Sequence, residues 1–597
     1  MKRKKVMAVL LCTVMAASMA ACGSPADTGA GTASDSAVSD TAEENSRDSG
    51  QEDTAEESSQ ESGQEAEESS GDGGEEETAE FKGLSPFDEL VTLSIGFGLD
   101  PTTVFEEGES IEDNRYLDWI REDLNIQVAY DWVCASSDYE QKMNLCIAGN
   151  TLPDAMNVGQ TQYLAMLKYD QLQPITDVFE EYASDMLKQY VRSGGDALMD
   201  AVSKDGEMYA IPAPNITAGG VNEMWIRQDW LDELGLEVPR TVDELMNVAT
   251  AFVENKMGGD NTIGIVGPST NGQLIAIGSN VWGLDPIFGA YQSYPEYWLR
   301  DEDGNVIYGS VQPETKEALA KLAEMYEAGA IDPEIFVRSD SKEPVTAGQV
   351  GIFFGPWGAG YSLWSVIMGG HDDWQAYLAP LAADGNFYSP MADPTSQYVC
   401  ISKDCEHPEA AIKIINYLIA NEQTWINESV ALSTAPVYPL YNAYDNADEI
   451  EYSYEWMKKV NDGEVAVEDV DVTGRKLLAS DLEGLVALKL EPKDDFSIKY
   501  WDYNSDKVKS NLVRLICIMV GERPLVEEGY IPIENIYSGV TDTMTTKWAN
   551  LQKIEEETFA KIILGQASVD EFDNFVERWY AEGGQEIIDE ITEIVNN

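Results

Sequence analysis

Between Val91 and Ala148 the spacing of apolar residues switches repeatedly between period two and helical period, and this alternation most limits the fold. Val91-Thr92-Leu93-Ser94-Ile95 alternates as a half-buried strand does, and Asn114 to Asn125 carries apolar residues at helical spacing. Ile126 to Trp132 is a second strand and Tyr139 to Ala148 a second amphipathic helix. Strand, helix, strand, helix predicts an α/β class with an open sheet, whose ligand crevice lies outside the carboxyl ends of the strands. Asp100, followed by Pro101 and Thr102, falls at that position.

The same alternation continues. Leu152 to Val158 is a turn followed by a short strand, and helices are expected around Leu164 and Tyr182. Asp205-Gly206 makes a turn before the strand Met208 to Pro212, and Val221 to Arg227 alternates again. Gln228 to Leu236 is a short helix stopped by Gly235, and Thr241-Val242-Asp243-Glu244 is a capping box opening a helix to about Asn255. Asp301 to Asn305 turns a hairpin into Val306-Ile307-Tyr308-Gly309, ahead of a helix from Pro313 to Ala328. Val350 to Gly370 is uncharged, but its six glycines and Pro356 predict a buried strand, a glycine-rich turn and a short helix in place of a membrane span. The last third is helical, with apolar stripes over Leu551 to Leu564 and Ser568 to Ala581, the latter opened by a capping box of Ser568 and Glu571.

The ends of the chain speak to compartment. Lys2 to Lys5 precede an uncharged stretch, Val6 to Ala21, too short for a spanning helix of about 20 residues and closing on small residues as signal peptides do. Met19-Ala20-Ala21-Cys22 resembles the bacterial lipobox, in which cleavage leaves the cysteine as a lipid-modified N-terminus, although Met19 replaces the usual leucine. An ordinary signal peptide beside a cysteine is the other reading. Gly23 to Glu80 has no aromatic residue and almost no aliphatic one, so it cannot offset the entropy of ordering itself and is expected to be an acidic tether. The ordered head begins near Phe87.

Acidic residues outnumber basic ones by 108 to 38 in the 597-residue chain, a net charge of −70, which excludes a phosphate-neutralising nucleic-acid surface. Only His371 and His407 are present, which removes most metal-histidine and nucleophile-histidine chemistry, and no metal or cofactor is expected. Beyond Cys22, five cysteines (Cys134, Cys146, Cys400, Cys405 and Cys517) lack a C-x-x-C pair. Buried free thiols are the expectation, with Cys134–Cys146 or Cys400–Cys405 the pairs that could bridge.

The order of the motifs is similar to that of extracellular solute-binding proteins of family 1. The resemblance rests on the lipobox, the acidic tether, Gly149-Asn150-Thr151-Leu152-Pro153-Asp154, Asp205 to Pro212, Trp225 to Leu236, Gly329-Ala330-Ile331-Asp332, His407-Pro408-Glu409-Ala410-Ala411 and the close from Phe559 to Gly584. It covers roughly Phe87 to the C-terminus and looks most like the long LipO-type lipoproteins of carbohydrate ABC transporters. The resemblance implies a periplasmic-binding fold of type 2, with two α/β lobes, hinge crossovers and a helical C-terminal part. The boundaries it implies are a signal peptide over 1–21, a tether over 22–86, lobe 1 over about 87–213 and 340–397, and lobe 2 over about 214–339 and 398–597. Some long relatives hold calcium in an acidic loop, but the corresponding Lys256 to Asn261 here has too few carboxylates.

Sugars present hydroxyl arrays and apolar C–H faces, so a sugar site needs aromatic platforms beside Asp, Asn, Glu or Arg. Trp357 in Gly355-Pro356-Trp357-Gly358-Ala359-Gly360-Tyr361 and Trp282 in Asn280-Val281-Trp282-Gly283-Leu284-Asp285 stand among small or turn-forming neighbours and are the candidate platforms. Trp230, Trp425 and Trp579 sit on predicted helices and are expected to be structural. Asp100, Asn157 and Asn215 end predicted strands, and Tyr398 and Asn215 lie in segments expected to cross between lobes. The expectation is a monomeric, membrane-anchored binding protein that captures a carbohydrate and serves ABC permease subunits without breaking a bond. A secreted glycoside hydrolase or lyase is the alternative, since many acids could place two carboxylates about 5–9.5 Å apart. An adhesin would show repeats. Net charge disfavours an anionic ligand, unless a local Arg or Lys pocket overrides it.

Overall fold

The computed structural model describes residues 81–596 apart from 106–107, 269–273, 276–280, 364–365, 367–371, 428–436, 489–496 and 498–511, and without the side chains of 423–427. Cys22, the signal peptide, the tether up to Glu80, His371 and the Trp425 side chain therefore lie outside the described residues. Along the chain run β1 (Val91–Leu99), β2 (Ile126–Ala135), β3 (Ala155–Val158), β4 (Ser203–Lys204), β5 (Glu207–Met208) and β6 (Ala210–Pro214). Then come β7 (Glu223–Arg227), β8 (Ile263–Ile265), β9 (Trp298–Arg300), β10 (Val306–Tyr308), β11 (Val350–Gly355) and β12 (Trp374–Tyr377), followed by β13 (Tyr388–Pro390), β14 (Thr395–Ile401) and β15 (Ile531–Ile533).

Two principal sheets form. The first has the order β2-β1-β3-β14-β6 and the second β12-β7-β11-β8. In the first, β1 runs parallel to β2 and β3, while β14 runs antiparallel to β3 and β6. Alternation places Leu93 and Ile95 in one core, closed by Ile120 and Leu124 of the helix Arg115–Leu124 and by Ile412 and Ile415 of the helix Pro408–Asn427. That first helix starts at Asn114, whose side chain accepts from the Tyr116 and Leu117 N–H groups, and ends at Asn125 in the left-handed region.

The second sheet is covered on both faces, which explains why β7 and β11 are buried throughout. Met224, Ile226 and Phe354 face the helices Val242–Glu254, Pro313–Glu327 and Met544–Ile563. Trp225 and Phe353 face the opposite way, onto the helix Glu449–Asp462 and the segment Leu512–Leu525. The helical C-terminal part thus completes the second lobe.

Three segments join the sheets: 215–222 between β6 and β7, 378–394 between β12 and β14, and 437–448 leading into the helix Glu449–Asp462. The first is bonded to each of the other two. The Asn215 N–H donates to the Pro394 carbonyl at 2.9 Å and the Thr217 N–H to the Ala447 carbonyl at 2.9 Å.

The two-lobed α/β architecture is as the sequence predicts, but the partition of the chain differs. Residues 340–397 are assigned above to the first lobe, yet β11 and β12 pair within the second sheet, and β14 with the helix after it belongs to the first. Period-two spacing identifies a strand without saying which sheet it joins, because pairing partners lie far away in sequence. The capping box at Thr241 forms with both reciprocal bonds, whereas the one at Ser568 does not. The helix Glu571–Trp579 starts after Asp570, and the Ser568 hydroxyl accepts from the Asp570 N–H. Asp205 and Gly206, with φ of 55° and 81°, turn the hairpin of β4 and β5, and Asp301 to Asn305 turns that of β9 and β10. All five cysteines of the head are free thiols, four buried and Cys134 half-buried.

Candidate functional site

Strand directions locate the crevice. The carboxyl ends of β1, β3 and β6 share an edge of the first sheet with the amino end of β14, which is the edge the crossing segments leave. In the second sheet the carboxyl ends of β8, β11 and β12 share an edge with the amino end of β7, where the crossings arrive. Each lobe therefore presents its strand ends at the hinge, where open α/β sheets bind ligands.

On the first edge, Asp100 follows β1 and is exposed. Its Oδ1 accepts from the Thr102 N–H at 2.8 Å and hydroxyl at 2.7 Å, bonds that hold its carboxyl below its ordinary value. Asn157 is the third residue of β3, and its amide nitrogen donates to the Tyr441 carbonyl at 3.2 Å and to Asn442 Oδ1 at 2.7 Å. Asn215 follows β6 and donates from its side chain to the Asp393 carbonyl at 2.8 Å, so it pins two crossings together. Tyr398 lies on β14 and is fully buried, stacked on Tyr163 at 4.7 Å.

On the second edge, Trp357 follows β11 and is 4% exposed, with its ring edge-on to Tyr361 at 6.4 Å. Trp282 is 9% exposed. Its φ of 87° is a conformation that bulky residues rarely take. Its N–H donates to the Phe354 carbonyl at 2.7 Å, and its ring lies against Phe353 at 4.8 Å. Trp230 packs against Phe252, and Trp579, fully buried, stacks on Tyr308, as structural tryptophans do.

The third crossing supplies groups that pattern reading passed over. Asn442 and Tyr444 are buried, and Asp445 has one buried carboxylate oxygen without a hydrogen-bond partner. Burial raises the Asp445 carboxyl above its ordinary value, against the pull of Lys476. Lys476 pairs with Glu422 at 2.8 Å. Burial alone would lower its ammonium, but Asp445 and Glu422 raise it. Arg514 pairs with Asp481 at 2.7 Å and also donates to the Tyr361 hydroxyl beside the Trp357 turn. The signal for these residues was Tyr438-Pro439-Leu440-Tyr441-Asn442-Ala443-Tyr444-Asp445-Asn446, a loop dense in the residue types that grip polyols. Among the described residues no group of three or more His, Cys, Asp or Glu side chains could hold a metal ion.

This arrangement, two lobes with facing strand ends and three crossings, defines a binding protein built to enclose a solute. Residues 115–425 match the bacterial extracellular solute-binding protein family, and the chain belongs to it. It is 23% identical over 480 residues to lipoprotein LipO of Bacillus subtilis, a match spanning 78% of this chain and 86% of that one. It is 29% identical over 228 residues to the fructooligosaccharide ABC transporter substrate-binding protein FusA of Streptococcus pneumoniae, spanning 35% of this chain and 40% of that relative's length. A human-milk-oligosaccharide-binding, ABC-transporter-associated solute-binding protein from Bifidobacterium longum infantis has the same fold, with a TM-score of 0.54 at 14% identity over 85% of this chain and 99% of that one.

Proposed function

We propose that the chain is the lipid-anchored, extracellular substrate-binding component of an ABC importer, capturing an oligosaccharide between its lobes and passing it intact to permease subunits. The observation that carries this is the pair of facing strand-end edges joined by three crossings, the first bonded to each of the other two. Such a frame has an open and a closed state, and a ligand touching both edges shifts the balance by its preference for the closed one. FusA is described as a fructooligosaccharide transporter protein and LipO as a lipoprotein, which supports the ligand class and the anchor. Cys22 is the residue that would carry the lipid, and Trp282, Trp357, Asn157, Asn215, Asp100 and Tyr398 are the proposed ligand-side residues.

Calorimetric titration of the mature chain with oligosaccharides, with chromatography of the recovered sugar, tests this reading. Saturable binding near micromolar, about −8 kcal/mol, with the sugar recovered at its original length is the expected result. Shortened products would instead identify a hydrolase. Labelling of growing cells with an alkyne fatty acid should mark the wild type and leave Cys22→Ala unmarked.

A further inference from the structure

Taking the importer reading as its basis, we propose that Glu223, Glu451 and Glu522 form a proton-holding cluster at the root of the hinge, which couples solute capture to proton uptake and weakens it as pH rises. Glu223 opens β7 directly after the first crossing and lies opposite Gly355, the residue that leads β11 into the Trp357 turn. Glu451 stands in the first turn of the helix Glu449–Asp462, which the third crossing enters, and its carboxyl is approached by the Ala218 N–H of the first crossing. Glu522 ends the π-helical stretch Cys517–Glu522, a rare geometry that recurs at functional sites. Its neighbour Gly521 is pressed against the Trp357 backbone. Period two puts Glu223 on the Trp225 face of β7, the face that this stretch and the helix Glu449–Asp462 cover.

Glu223 and Glu522 are fully buried, and among the described residues neither oxygen of either carboxyl has a hydrogen-bond partner; the same holds for Glu451 Oε2. The Trp225 indole N–H, whose ring lies against Gly521, is unpartnered as well, so it donates to none of them. Glu522 feels the charges of Glu451 and Glu223. Glu223 feels Arg523, which lowers it, and Glu528, which raises it. Glu451 feels Asp448 and also Arg475, which is itself paired with Asp448 and Glu449. The Tyr530 phenol, acted on by Glu451, Glu522 and Glu534, is kept neutral by burial. Burial is the first cause raising all three carboxyls, and Glu451 is pushed up to about 7. Once ionised, such groups cannot stay dry. Water entering among them would part Glu522 from β7 and unseat the Trp357 turn and the first crossing together. A solute that needs the turn seated binds the protonated form, so its binding takes up protons wherever the free protein has lost them.

Near-UV circular dichroism of the mature chain without ligand, followed from pH 6 to pH 9, reads the cluster directly. The wild type should show a reversible change centred near neutral pH, where Glu451 titrates. Glu451→Gln, at the least buried of the three, should move that change to higher pH, and Glu451→Gln with Glu522→Gln should abolish it. The infrared carbonyl stretch of protonated carboxyls at pH 7 should be weaker in the double variant, a loss that altered packing alone would not produce. Calorimetric titration with fructo-, xylo- and malto-oligosaccharides should find wild-type affinity falling about tenfold or more from pH 6.5 to pH 8.5, as uptake of one proton requires, and double-variant affinity level. The same dichroic change in wild type and double variant, an undiminished carbonyl band, or sugar affinity equally dependent on pH in both would overturn the coupling and leave the importer reading standing. Binding of none of the sugars, with the dichroic change confined to the wild type, would remove the carbohydrate reading and keep the proton-linked hinge.

Discussion

The Lys476 ammonium lies 2.8 Å from the Glu422 carboxylate, and that contact fastens the helical part of the second lobe to the long helix of the first. Gly474, two residues earlier, accepts from the Asn446 amide of the third crossing at 2.9 Å and packs against Gln189 and Met186 of the first lobe. The seam is therefore a fixed point about which the lobes are joined. Lys476→Met keeps the stem's packing and leaves Glu422 and Asp445 facing each other without the cation. Urea unfolding should show a loss of about 1–3 kcal/mol, below the 3–5 kcal/mol typical of fully buried pairs because both side chains keep some solvent. Glu422→Gln should cost less. A variant as stable as the wild type would mean that the pair contributes nothing to joining the lobes.

Gly521 presses on the turn that carries Trp357. A Cβ there would stand 2.5 Å from the Trp357 carbonyl oxygen and 2.9 Å from both its Cα and the Trp225 ring. Backbone cannot swing aside as a side-chain tip can, so Gly521→Ala must displace the turn, and overpacking of this kind costs about 1–3 kcal/mol. A lower melting temperature together with weaker ligand binding is expected. If only stability falls, the Trp357 turn does not contribute to the site.

How far the sequence discloses this molecule depends on the range of the interaction. Local devices were legible: the helix over Asn114 to Asn125, the Thr241 capping box, the Asp205-Gly206 turn and the period-two face of β1 are written in adjacent residues. Even motif residues that carry the family resemblance prove to be framework. Asp154 accepts from the Ser94 N–H at 2.8 Å while its own N–H donates to the Ser94 hydroxyl at 3.0 Å, clamping β3 to β1. Sheet membership of β11, β12 and β14 was not legible, because it is fixed by partners far away in sequence. Nor was the placement of Asn442 beside β3, which is set by how the third crossing closes on Asn157.

Trp282 offers a direct test of an aromatic platform. Its backbone occupies the left-handed region at φ 87°, and holding a bulky residue there costs on the order of 1–3 kcal/mol. Trp282→Gly removes that strain and the ring's packing on Phe353 at once, so the two changes partly cancel in stability. Near-UV circular dichroism and urea titration should find a folded protein within about 2 kcal/mol of wild type. Ligand affinity should fall about tenfold or more if the ring stacks on sugar. Unchanged affinity would remove Trp282 from the site.

A second group of buried acids predicts how stability depends on pH. Glu555 is buried behind β10, where the Tyr308 hydroxyl donates to its Oε2 at 3.1 Å, and burial, followed by the charge of Glu296, pushes its carboxyl up to about 8. Burial, followed by Asp285, likewise raises Glu296 to about 7. A carboxyl whose value is raised in the native state holds its proton where the unfolded chain has released it, so stability falls as pH rises between the two values. Below about 4.3, the ordinary glutamate value, both states are protonated and the penalty is absent; above the native values it is complete. The head should therefore be more stable at pH 5 than at pH 8, and repulsion within a chain of net charge −70 acts in the same direction. Glu555→Gln keeps an acceptor for Tyr308 and removes the titration. Its melting temperature should exceed the wild type's at pH 8, by the equivalent of about 1–3 kcal/mol, and converge with it toward pH 5. Parallel curves for the two proteins from pH 5 to pH 9 would show that Glu555 does not hold a proton in the native state.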